Sequence, residues 1–71
     1  MSKLIDDLRA RTGLNMTQLA VLLAVPKPTL YQYRRSGEMP SSVERMLRII
    51  ARLNERQLQT LVDEYVFGVE L

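Results

Sequence analysis

The chain has 71 residues, a formal net charge of +2 and neither cysteine nor histidine. That length sets one domain, near the lower limit at which a single core holds without staples. The missing residue types exclude disulfides, the usual zinc-ligand sets and any histidine-dependent general base or nucleophile pair. Residues 1–13 are charged and amphipathic, and no apolar run reaches bilayer length, so the expectation is a soluble cytoplasmic protein without a signal peptide.

The pattern of apolar and capping residues predicts five short helices in one all-α domain spanning residues 1–71. The first covers residues 2–11, with Ser2 as N-cap, Gly13 as the stop, and Leu4, Ile5 and Leu8 as its apolar stripe; Leu14 lies just beyond. Asp6 and Asp7 come early and Arg9 and Arg11 late, as the helix dipole favours. Asn15 and Gln18 have capping-box spacing and open a second helix, in which Leu19, Ala20 and Leu23 share a face. Ala24-Val25-Pro26 reads as a turn. A third helix starts at Lys27 or Pro28, runs to about Arg35, buries Leu30 and Tyr33, and ends at Ser36-Gly37. After a loop at residues 38–40, Ser41 and Glu44 read as a second capping box. The fourth helix then turns Val43, Met46, Leu47, Ile50 and Leu53 inward. Asn54 and Gln57 form a third box, opening a fifth helix with Leu58, Leu61, Val62 and Tyr65 inward. Gly68 ends it, leaving Val69, Glu70 and Leu71 as a tail.

Charge is unevenly spread. Residues 14–37 contain Lys27, Arg34 and Arg35 and no acid, a segment charge of +3. Residues 46–71 set Arg48, Arg52 and Arg56 against Glu55, Asp63, Glu64 and Glu70, a balance of −1. Positive charge gathered on one short helix favours a nucleic-acid partner.

The unbroken spacing of Leu19-Ala20, Leu23-Ala24-Val25, Thr29-Leu30, Tyr33, Gly37 and Pro40, continuing through Ile50-Ala51 and Leu53, resembles the phage Cro and repressor-type (XRE-like) helix-turn-helix family. The resemblance covers residues 14–53. It implies a compact five-helix, lambda-repressor-like bundle whose second and third helices form the helix-turn-helix. Carried over position by position, it implies base contacts from Lys27, Pro28, Thr29, Tyr31 and Gln32. Lys27 would donate to guanine, Gln32 would pair with adenine, and Pro28, the Thr29 methyl and the Tyr31 ring would touch thymine methyls. Arg34, Arg35 and the backbone around Gly37 would hold phosphates, joined by Thr17 and Gln18 at the start of the second helix. Three positions depart from the family pattern. Ala24 stands where the turn usually has Gly, Met16 stands where many members carry a phosphate-gripping Gln, and Pro26 and Pro28 flank Lys27 and remove two backbone donors.

A module this small covers little DNA, so a twofold homodimer with half-sites about 34 Å apart is expected. Tyr65, Val66, Phe67, Val69 and Leu71 exceed what one helix face can bury, which makes residues 58–71 the expected dimer contact; folding back on the core is the alternative. The geometry that the resemblance implies puts Val21 and Leu22 on the more exposed side of the second helix.

Together these readings describe a transcriptional repressor that occupies a palindromic double-stranded DNA operator in a bacterial cell or phage-infected host, associated with the nucleoid. No cofactor, metal, membrane or small-molecule ligand is expected. Enzymatic chemistry is not expected either, because Ser41 and Ser42 lack a base and the adjacent Asp6 and Asp7 diverge on a helix. The alternative is a protein-interaction module on the same scaffold, such as an antitoxin or inhibitor, in which Tyr31, Val21 and Leu22 outweigh Lys27 and Arg35.

Overall fold

Five helices carry the residues described by the computed structural model, 3–68: α1 (Lys3–Thr12), α2 (Met16–Leu23), α3 (Lys27–Ser36), α4 (Ser41–Ala51) and α5 (Glu55–Tyr65). No strand occurs among the described residues, and no helix there is long and apolar enough to cross a membrane. α1 packs on α4 and α5, while α2 packs on α3 and α5.

The centre of the core takes one side chain from each of the first four helices. Ile5, Leu19, Leu30 and Leu47 are each at most 2% exposed. α5 closes the bundle with Leu58 and Val62. Burying each large aliphatic side chain contributes about 1.5–3 kcal/mol, the main drive for chain entropy to be overcome. Leu22, Val25, Tyr33, Val43, Met46, Leu53 and Leu61 are half-buried around this centre.

Local chemistry sets the helix limits. Asn15 accepts from the Gln18 backbone N–H at 2.8 Å while Gln18 accepts from the Asn15 N–H at 3.1 Å, a reciprocal capping box. Asn54 and Gln57 repeat the arrangement at 2.8 and 3.0 Å. α1 stops at Gly13, whose N–H donates to the Arg9 carbonyl at 2.9 Å. Arg11 then clasps the α4–α5 junction. Its guanidinium donates to the carbonyls of Leu53 at 2.6 Å and Ala51 at 3.2 Å, and pairs with Glu55 at 3.1 Å. The Ala51 carbonyl is one of the last of α4, which no backbone N–H of the helix can satisfy, and the Leu53 carbonyl lies in the connection to α5.

Several expectations need correction. Ser41 and Glu44 do not form a capping box. Pro40, extended at φ −56°, ψ 146°, is the N-cap, so Ser41 is already helical and its hydroxyl has no cap to make. Glu44 pairs with Arg48 at 3.0 Å. Tyr65 does not face inward; it is 57% exposed, because Leu58 and Val62 already fill the α5 seam. Tyr33 is half-buried rather than buried, with Leu30 taking the central position. Helix α5 ends at Tyr65, three residues before Gly68. The expected N-cap at Ser2 lies outside the described residues.

Candidate nucleic-acid interface

The connection between α2 and α3 is tight. Ala24 takes a left-handed backbone, φ 55°, ψ 40°, and is the only described non-glycine residue with positive φ. Its conformation lets the Val25 N–H reach the Ala20 carbonyl at 3.1 Å, closing the last turn of α2. A β-carbon there costs on the order of 1 kcal/mol relative to glycine. The turn therefore bears its backbone strain at Ala24, in a conformation that glycine would adopt without it.

Two features fix α3 behind its outward face. Leu30 inserts fully into the core, and its N–H donates to the Pro26 carbonyl at 2.9 Å, so the helix begins without a side-chain cap. Pro28 sits in the first turn, where a missing N–H leaves nothing unpaired. At the other end Gly37, at φ 75°, donates its N–H to the Tyr33 carbonyl at 2.8 Å and turns the chain away.

Lys27, Pro28, Tyr31, Gln32 and Arg35 are all exposed on α3: Pro28, Gln32 and Arg35 lie opposite Leu30, and Tyr31 and Lys27 lie along the adjoining flank. Lys27, Tyr31 and Arg35 follow one another at four-residue spacing, with Pro28 and Gln32 alongside them on a helix about 15 Å long. Among the described residues, none of the side chains of Lys27, Tyr31, Gln32 and Arg35 makes a hydrogen bond or ion pair. Thr29 differs: it is half-buried, at the flank of this face. No acidic residue lies in α2, the turn or α3. Lys27 occupies the first turn of α3, where the positive end of the helix dipole repels a cation.

The expected phosphate ligands fall into two groups. Thr17 is exposed in the first turn of α2, and Gln18 is half-buried, its Oε1 committed to the capping box. Arg35 and Gly37 are exposed at the far end of α3. Arg34 points elsewhere, its Nε–H donating to the Asp6 carboxylate of α1 at 2.9 Å. Met16 is only 4% exposed and is a core side chain, so the first turn of α2 presents Thr17, Gln18 and backbone N–H groups.

Of the expected dimer residues, Tyr65 and Phe67 are 57% and 55% exposed and Val66 is half-buried against the core; Val69 and Leu71 lie outside the described residues. Val21 is exposed, whereas Leu22 packs on the core. One basic cluster escapes the segment-by-segment charge reading. Arg45, Arg48 and Arg52 recur at helical spacing along α4 and, with Ile49 and Leu53, line a shallow groove. Dividing the charge count at residue 46 separated Arg45 from the other two; a helical projection of residues 41–53 would have joined them.

No protein-family model, curated protein sequence or solved structure matches this chain.

Proposed function

We propose that this protein is a sequence-specific double-stranded DNA-binding repressor, with α2 and α3 as its helix-turn-helix and α3 as the helix that enters the major groove. One observation carries the reading: the outward side of α3 presents Lys27, Tyr31, Gln32 and Arg35 without partners among the described residues, in a segment free of acids. Donors, an amide with both donor and acceptor, and an aromatic on one exposed helix are the chemistry that reads base edges. The position of Lys27 adds weight, since the helix dipole opposes a cation there and folding gains nothing from it. Phosphates would be held at both ends of this unit, by Arg35 and the backbone at Gly37 on one side and by Thr17, Gln18 and the α2 N-terminus on the other. Repression then follows from occupancy of a palindromic operator by a dimer.

Exposed Val21 and Tyr31, 54% and 42% accessible, favour a second reading in which the same unit grips a partner protein. Titration with duplex DNA at two salt concentrations separates the two. A DNA reader loses affinity steeply as salt rises, with a slope of about −0.9 per phosphate neutralised. Absence of salt-sensitive DNA binding would transfer the interface to a protein partner.

A further inference from the structure

Outside the α2–α3 unit, the large apolar side chains most exposed among the described residues are Ile49 on α4 and Tyr65 and Phe67 at the end of α5. Their surroundings carry opposite charge. Ile49 lies in the groove edged by Arg45, Arg48 and Arg52. Glu44 neutralises Arg48 at 3.0 Å, while Arg45 and Arg52 have no ionic partner among the described residues. Tyr65 and Phe67 follow Asp63 and Glu64, and Asp63 is met by the neutral amide of Gln59 at 2.8 Å. Glu64 likewise has no ionic partner among the described residues.

We infer that the α4 groove of one protomer receives the acidic, aromatic end of α5 from a second copy of this chain. Each patch alone is a handful of side chains, well short of the roughly 1,000 Å² that a specific interface buries. A twofold arrangement uses both patches twice and closes the assembly as a dimer. The apolar centre of the groove is what distinguishes it from a phosphate track: a DNA backbone offers Ile49 nothing to bury against, whereas a Tyr or Phe ring does. The inference deepens the proposed function by naming the dimer contact that a palindrome requires, and its test is independent of DNA.

The experiment is a charge swap followed by sedimentation velocity without DNA. One full-length variant carries Arg45→Glu and Arg52→Glu; the other carries Asp63→Arg and Glu64→Arg. Each variant alone sets like charges against each other in both contacts, and its dimer dissociation constant is expected to rise at least about tenfold. A heterodimer of the two has complementary charge in both contacts, so mixing should restore dimer to near the wild-type level. Circular dichroism verifies folding, and Arg45→Gln with Arg52→Gln serves as a milder pair, expected to weaken dimer and lessen its salt sensitivity. Wild-type monomers throughout the micromolar range, unaltered dimers in both single variants, or a mixture that fails to recover would each overturn the inference. So would loss of DNA affinity in the α4 variant with unchanged sedimentation, which would assign the arginines to phosphate. Retained half-site DNA binding by monomeric variants would leave the α3 reading intact.

Discussion

Arg34 donates its Nε–H to the Asp6 carboxylate at 2.9 Å, tying the last turn of α3 to α1. Both side chains are a little over a third exposed, so the pair contributes little to stability, about 0.2–1 kcal/mol. Its larger effect is electrostatic, because it offsets one of the three cations of the proposed DNA-binding segment.

Asp6→Asn should therefore act in opposite directions on fold and binding. Thermal unfolding is expected to show a loss below about 1 kcal/mol. DNA affinity should increase on specific and random duplexes alike, with a steeper salt dependence. Unchanged DNA binding would mean that Arg34 lies away from the phosphates.

Lys27→Glu should produce a sharper split. A carboxylate in the first turn of α3 suits the dipole and is expected to stabilise the domain by about 0.3–1 kcal/mol. The same substitution places negative charge on the face proposed to meet DNA and should abolish detectable binding. Urea denaturation and anisotropy titration read the two effects separately.

Gln32→Ala should relax sequence preference, with a loss of about 1–3 kcal/mol on the best site and little change on random DNA. Arg35→Ala should weaken both and lower the salt slope by about one unit. Equal losses on both kinds of DNA for Gln32→Ala would reassign it to the backbone.

Ala24→Gly should raise stability by roughly 0.5–1 kcal/mol, since the native φ of 55° is strained only for a residue with a β-carbon. For a domain of this size that is a rise of several degrees in Tm. A fall in Tm would mean that the greater freedom of Gly in the unfolded chain outweighs the relieved strain.

Capping substitutions test how the helix limits are set. Asn15→Ala and Asn54→Ala should each cost about 1 kcal/mol, as both side chains accept an N–H and complete a box. Ser41→Ala should be close to neutral, because its hydroxyl caps nothing. Chemical denaturation of the three variants makes the comparison.

The contrast between Asn54 and Ser41 also explains how much of the fold was legible in the sequence. Spacing within one turn identified all five helices and the Asn15 and Asn54 boxes, because those signals depend only on neighbours. At Ser41 the same spacing misled, since Pro40 brings the last extended residue one position earlier. Tertiary facts were less accessible. That Met16 is buried, that Arg34 turns to Asp6 and that Arg11 clasps the α4–α5 junction all depend on contacts with distant chain segments. The exposed residues of α3 follow from its periodicity around Leu30, whereas the half-burial of Thr29 at their edge depends on the neighbouring helices. Tyr65 matched the inward spacing of α5 but found the seam already filled.

The most direct test of the central claim is selection of bound sequences from a random duplex pool, followed by titration of the enriched sequence. The account predicts an inverted repeat with half-site centres about 34 Å apart, one helical turn, whose preference is relaxed in Gln32→Ala. A pool that returns no motif, with only weak binding to any duplex, would contradict it.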